Sequence, residues 1–329
     1  MFIGPPDTFP RLVGDIGGTN ARFATIAASG GDLGAVGVVS CADFAGPREA
    51  IEHYLATSGQ PRPRWCALAI ANPVEGDFLQ MTNHDWAFSI GALHDALGVE
   101  HLLVLNDFTA LAMAIPLLQP DELVQVGGGA PVSQRAIALL GPGTGLGVSG
   151  LVPCGEDYTA IVGEGGHMTL AASDPHEAEL IAELTKRFGH VSAERALSGP
   201  GIVALYEAHA ALAGETPDPI GAPAISARAL AGSCRLCTAT LTAFCALLGT
   251  VAADLALVLG ARSGVYVGGG IIPQLGESFL RSPFRARFEH KGRFSSYLAA
   301  IPTYVIHAAQ PGLRGAARAL AASAPRVRE

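Results

Sequence analysis

Three glycine-rich segments in this sequence could bring backbone N–H groups up to an anion, because glycine adopts φ > 0 readily and leaves the backbone bare. In Gly14-Asp15-Ile16-Gly17-Gly18-Thr19-Asn20 an aspartate ends an apolar run and is followed by two glycines and a hydroxyl. There Asp15 could hold Mg²⁺, directly or through water, and Thr19 could bond a phosphate. A tight hairpin turn is the plain structural reading of the same residues. Gly141-Pro142-Gly143-Thr144-Gly145-Leu146-Gly147 follows a second apolar run. So many glycines together are costly to order unless the backbone must bend or be approached closely. Gly268-Gly269-Gly270 follows a third run, where a flat adenine or ribose could lie against bare backbone.

Acid–base and hydroxyl-recognising groups lie elsewhere. Asn106-Asp107 stands where a strand pattern gives way to a helix pattern, the usual station of active-site carboxylates in open α/β sheets. Asp107 could take a hydroxyl proton there, or simply cap the helix. Gly163-Glu164-Gly165-Gly166-His167 offers an acceptor and a donor–acceptor on an exposed turn, as polyhydroxyl recognition requires. Glu194-Arg195 reads locally as a helical ion pair, and Ser198-Gly199-Pro200-Gly201 as a turn that caps the next helix. Gly145-x-Gly147-x-x-Gly150 matches the dinucleotide fingerprint, with Glu164 about where a ribose ligand would stand, which makes an NAD-dependent oxidoreductase the alternative. Leu151-Val152-Pro153 does not open the helix that this fingerprint needs. The only lysines, Lys186 and Lys291, lie away from the glycine segments, and no G-x-x-x-x-G-K-[ST] occurs, so a Walker-type site is excluded.

These groups need strand ends and helix starts to hold them. Arg11 to Asp15 and Ala21 to Ala28 read as a hairpin turning at Gly17–Asn20. A helix from Pro47 to Leu55, a buried strand from Trp65 to Ala71, a Ser89-capped helix to Leu97 and a strand from His101 to Leu105 follow. Asn106-Asp107 then caps a helix toward Pro116. Leu117 to Gly129, rich in turn residues, is the expected crossing between domains. Arg135 to Leu140 begins a second round; helices dominate Pro175 to Gly260; Val265 to Val267 and Pro302 to Ile306 read as strands, and Leu313 to Ala322 as a helix. Strand, glycine turn, strand, then alternating helices and strands occurs twice, which indicates an α/β chain of two similarly built domains.

The length of 329 residues fits two domains of ~150 residues each. A net charge of −8 without a basic run excludes nucleic acid as a partner. The 41 glycines and 22 prolines are scattered between apolar segments, so they mark turns rather than disorder. A mean hydropathy of +0.35 raises the question of a membrane span. Leu236 to Ala253 is the one credible stretch, and a span there would part the glycine loops across a bilayer, so a buried core helix and no membrane are expected. The N-terminus lacks a signal-peptide pattern, and a cytoplasmic protein is expected. The six cysteines have no framework spacing. Cys234-x-x-Cys237 reads as reduced thiols in a helical pattern, with a zinc site as its alternative.

Leu12 to Arg22 (LVGDIGGTNAR), Met81 to Ser89 (MTNHDWAFS), Asn106 to Thr109 (NDFT), Gly163 to His167 (GEGGH) and Val191 to Gly201 (VSAERALSGPG) together resemble the bacterial glucokinases, the non-ROK group of the hexokinase family. The match runs in one order from about Leu12 to Leu320. The resemblance implies two actin-like, ribonuclease-H-like α/β domains flanking an active-site cleft. Residues 1–117 plus about 304–329 would form the small domain, completed by the C-terminal strand and helix, and 118–303 the large one. It implies transfer of the γ-phosphoryl of MgATP to the 6-hydroxyl of glucose. Asp107 would be the base, and Asn106, Asp107, Glu164, His167 and Glu194 would bind the sugar. Gly14, Asp15, Ile16, Gly17, Gly18 and Thr19 would form one phosphate loop, with Asp15 toward Mg²⁺. Gly143, Thr144 and Gly145 would form the other, and Gly268, Gly269 and Gly270 would lie by the adenosine. A homodimer is implied as well. ROK-type relatives carry a Cys-rich zinc motif after their corresponding turn, whereas the residues after His167 (MTLAASDPHEAE) contain no Cys, so no zinc is expected. The non-enzyme alternative is a sugar-sensing regulator or an actin-like ATPase. The ten residues before Arg11 are too few for a regulator's helix-turn-helix, and an actin-like ATPase would turn over without glucose.

Overall fold

The computed structural model describes residues 2, 4–82 and 84–323, so Asn83 of the MTNHDWAFS motif and the 324–329 end of the small-domain expectation lie outside the described residues. The chain runs β1 (Arg11–Ile16), β2 (Asn20–Ile26), β3 (Gly37–Ser40), α1 (Pro47–Ser58), β4 (Trp65–Ile70), β5 (Phe78–Gln80), β6 (Ala87–Ser89), α2 (Ile90–Leu97), β7 (His101–Asn106) and α3 (Asp107–Ala114). It continues through β8 (Leu123–Val126), β9 (Ile137–Pro142), β10 (Leu146–Cys154) and β11 (Asp157–Ile161). Helices α4 (Pro175–Phe188), α5 (Ala193–Ala196), α6 (Gly199–Ala213), α7 (Ala222–Leu230) and α8 (Arg235–Leu259) follow. Then come β12 (Val265–Val267), α9 (Ile272–Leu275), α10 (Glu277–Leu280), α11 (Phe284–Glu289), α12 (Ser295–Ala299), β13 (Thr303–Ile306) and α13 (Pro311–Ala322).

The chain forms two compact units. The first takes the described residues up to Leu118 and from Ala308 onward; the second is Gln119–His307. The sheet of the first unit has the order β3-β2-β1-β4-β7, with β1, β4 and β7 parallel and β2 antiparallel to β1. All six residues of β4 (WCALAI) are buried, the run a parallel strand needs when both faces are covered. Leu12, Ile16, Leu68 and Ile70 face α1 and α2 through Ile51, Leu55, Leu93 and Leu97. Val13, Ala67 and Ala69 face the other way, onto Leu313, Ala316, Ala317 and Leu320 of α13. Helix α13 crosses α3 so closely that a Cβ on Gly315 would collide with the Ala110 carbonyl. The segment before β1 packs too. Phe9 is buried, and the fully buried Arg11 guanidinium lies 4.2 Å from the Phe9 ring centroid and donates to Thr8 Oγ1 at 2.7 Å.

The sheet of the second unit has the order β11-β10-β9-β12-β13-β8. Strand β8 falls inside the stretch read as a turn-rich crossing. The C-terminal strand, expected to complete the first domain, belongs to this sheet instead: β13 runs parallel to β12 and antiparallel to β8. The reason is burial, since Thr303, Val305 and Ile306 are buried and a central position pairs both edges of the strand. Of the expected C-terminal strand and helix, only the helix packs in the first unit. Helix α8 is long and apolar enough to cross a membrane, but 67% of its most apolar window is buried, with Phe244, Leu247 and Leu248 in the core of this unit.

Candidate active site

In the first unit β1, β4 and β7 end at one edge of the sheet. Asp15 pairs with Ala69, and Asn106 with Ile70. Asp107 follows as the first residue of α3. The helix is capped by Asn106, whose side-chain oxygen accepts from the amides of Phe108 and Thr109 at 2.9 and 3.2 Å. The Asn106 Nδ2 donates to the Asn72 carbonyl at 3.3 Å, a contact that local pattern could not reveal. One Asp107 oxygen accepts from the Phe108 amide at 2.9 Å. Its neighbour does the capping, so the half-buried Asp107 carboxylate stands at a helix N-terminus, where negative charge is favoured.

Asp15 lies against the start of α13, where a Cβ on Gly312 would come within 2.9 Å of its carboxylate. Burial pushes the Asp15 carboxyl up, and Arg22, directly across the hairpin, pulls it down. A carboxylate in that position gains from a cation beside it. The hairpin tip is pinned by the Gly17 amide on the Asn20 carbonyl at 3.0 Å and the Cys41 amide on the Thr19 carbonyl at 2.9 Å, with Thr19 exposed. Gly14 has a different cause from the loop: it lies inside β1, and a Cβ there would come within 2.7 Å of Leu68 Cδ2. Ile16 is fully buried, and its carbonyl accepts from the Ala71 amide at 3.1 Å.

The second unit draws four of the singled-out segments together around the β9–β10 hairpin. At its tip the Gly143 amide donates to the Gly145 carbonyl at 2.8 Å, and Thr144 is exposed. Glu194, on α5, accepts from the Leu146 amide through Oε2 at 2.9 Å, and a Cβ on Gly145 would collide with that oxygen. This overturns the ion pair expected from Glu194-Arg195, since Arg195 lies over the Phe188 ring at 4.6 Å. Ser198 caps α6, accepting from the Gly201 amide at 3.0 Å, and the Gly199 amide reaches the Gly143 carbonyl at 2.8 Å. The 163–167 turn rests on β10, where Gly165 fits against Val148 and Gly166 against the Leu146 carbonyl, leaving Glu164 and His167 exposed.

The Gly268 amide donates to the Leu140 carbonyl at 2.9 Å. Gly269 has φ of 78° and abuts the Pro142 carbonyl, so no other residue fits there. The glycines of the two hairpin tips do not take left-handed backbone. Gly147 and Gly150 lie within β10, which removes the strand-to-helix turn that the dinucleotide fingerprint requires. Lys186 pairs with Glu183 and Lys291 with Asp254, each at 2.5 Å.

Among solved structures, glucokinase from an Antarctic psychrotroph superposes with a TM-score of 0.88 at 40% identity, covering 95% of this chain and 99% of that one. With the geometry above, the likeness defines the class: an ATP-dependent hexose kinase with the two-domain actin-like α/β fold. The Glucokinase family model matches residues 12–323. Glucokinase of Aromatoleum aromaticum is 59% identical over 321 residues, 97% of each chain. Glucokinase of Campylobacter jejuni subsp. doylei is 51% identical over 314 residues, 95% of this chain and 94% of that one. The chain belongs to the glucokinase family.

Proposed function

We propose that this chain transfers the γ-phosphoryl group of ATP to the 6-hydroxyl of glucose, giving glucose 6-phosphate and ADP, and that it belongs to the non-ROK group within the actin-like ATPase superfamily. The observation that carries the reading is Asp107, a half-buried carboxylate that opens α3 where β7 ends, next to the Asn106 cap. The sugar oxygen attacks the γ-phosphorus, the bond from phosphorus to the β–γ bridging oxygen breaks, and the hydroxyl proton passes to Asp107. Asn106, Glu164, His167 and Glu194 bind ring hydroxyls. The Leu146 amide fixes the Glu194 carboxylate for that task.

Both lysines are engaged elsewhere, so phosphate recognition falls to the backbone around Gly14–Thr19 and Gly143–Gly145 with the exposed Thr19 and Thr144 hydroxyls. Gly268, Gly269 and Gly270 lie along the adenosine. Among the described residues no group of three or more His, Cys, Asp or Glu could hold a metal. The single half-buried Asp15 fits Mg²⁺, an ion that keeps several waters and takes phosphate oxygens as ligands. Bound there, Mg²⁺ would neutralise phosphate charge. The enzyme works in the cytoplasm as a homodimer, without zinc, nucleic acid or membrane.

A coupled assay for glucose 6-phosphate across hexoses and phosphoryl donors tests the reading. Turnover that needs both glucose and ATP is expected. ATP hydrolysis at the same rate without sugar, or reduction of NAD by a sugar, would overturn it.

A further inference from the structure

Cys234-x-x-Cys237 has no part in phosphoryl transfer. The pair sits at the start of α8. Cys234 is the cap residue: its carbonyl accepts the first helical bond, from the Thr238 amide at 3.0 Å, and its Sγ accepts from the Cys237 amide at 3.3 Å. Cys234 is half-buried and Cys237 buried. Three positions apart at a helix start, their Cα atoms stand about 5 Å from each other, inside the roughly 4.4–6.8 Å that a disulfide spans.

The charged and titratable groups around them are Tyr206 on α6, Arg228 on α7 and Asp218 between the two. Arg228 Nη1 pairs with Asp218 Oδ2 at 2.6 Å, and the Tyr206 hydroxyl accepts from the Asp218 amide at 3.2 Å. The Cys237 thiol, then the Cys237 amide, hold the Cys234 thiol below its ordinary value, and Arg228 adds to this. Burial, then the Cys234 sulfur, pushes the Cys237 thiol up to about 11. An outer thiol that ionises beside an inner one that stays protonated suits thiol–disulfide exchange.

We infer that Cys234 and Cys237 form a redox-active pair, oxidised by small disulfides such as glutathione disulfide to an intrahelical disulfide. The Cys234 thiolate attacks one sulfur of glutathione disulfide, and the first glutathione leaves as its thiolate. Cys237 gives up its proton and attacks Cys234 Sγ, and the second glutathione leaves. The two protein thiols lose two electrons and two protons, and one glutathione disulfide becomes two glutathione thiols.

The full chain is incubated with glutathione disulfide, alkylated, digested and read by mass spectrometry. The expected product is a Cys234–Cys237 disulfide, lighter by two hydrogens, protected from alkylation and reversed by dithiothreitol. A Cys237→Ala chain, shown by circular dichroism to be folded, should instead accumulate glutathione on Cys234, to a greater extent than on the exposed Cys154. Cys237→Ser serves where the alanine variant does not fold. Free alkylation of both Cys234 and Cys237 after oxidation would overturn the inference. So would a partnerless Cys234 that takes up no more glutathione than Cys154.

Discussion

Replacing Gly145 with alanine tests how Glu194 is held for its role on the sugar. The added Cβ would crowd Glu194 Oε2, so the carboxylate must shift and its bond to the Leu146 amide is strained, at most lost. That bond is 2.9 Å long, partly buried and accepted by a charged group, a contribution of about 1.5–3 kcal/mol. At about 2–4 °C per kcal/mol for a unit the size of Gln119–His307, the melting temperature should fall by up to roughly 3–12 °C. Losing a sugar contact of the same kind should raise KM for glucose by roughly ten- to 150-fold. Initial rates against glucose at saturating ATP, with thermal melts beside them, measure both. Glu194→Gln separates the two effects, because its amide oxygen can still accept from Leu146 while the charge on the sugar is gone. It should raise KM for glucose with a smaller fall in melting temperature than the loss of the whole bond gives. A Gly145→Ala chain that melts lower yet keeps its glucose KM within twofold would make Glu194 a strut of the hairpin. Wild-type KM in Glu194→Gln would remove it from the site.

Asp107→Asn should lower kcat by roughly 10²–10⁴ while glucose still binds by calorimetry; a variant that keeps a third of wild-type kcat would strip Asp107 of the role of base. Glu164→Ala and His167→Ala should each raise KM for glucose by roughly ten- to a hundredfold, with KM for ATP changed much less. Gly143→Ala meets open space, so it should melt like wild type and raise KM for ATP; an unchanged ATP KM would take that loop off the phosphates. His209 is buried with no partner for Nε2, and burial, then His176 and Arg235, pushes its imidazole down to about 4. Its folded value lies below the unfolded one, so the stability it allows is complete above about pH 6.5 and is lost as pH falls toward 4. The melting temperature of wild type should therefore fall relative to that of His209→Phe as pH drops across that window, and parallel curves would refute the assignment.

The first unit is largely legible in the sequence because its signals are local. Strands β1, β4 and β7 are apolar runs that end in turn or cap residues, and Ser89 and Asn106 cap the helices they precede. Strand β8 hides among turn residues, as only Val126 of its four residues is buried. The home of β13 depends on partners far away in the chain, β12 and β8, which its own composition does not name. Glu194 is the sharpest case. Its neighbour Arg195 suggests an ion pair, while its real partner, the Leu146 amide, lies 48 positions away.

Glycine strings carry the same ambiguity, since a bare backbone can make room for a ligand or for the protein itself. Gly166 yields to the Leu146 carbonyl and Gly269 to the Pro142 carbonyl, so both are required by the fold whether or not a nucleotide ever binds, while Gly14 and Gly145 face the side-chain ends of Leu68 and Glu194. A Cβ added at Gly143 or Gly270 would meet nothing within 4 Å, and one at Gly17 only the Asn20 carbonyl at 3.5 Å. Those three are the positions at which loss of ATP binding on substitution reports the approach of a ligand rather than a disturbed core.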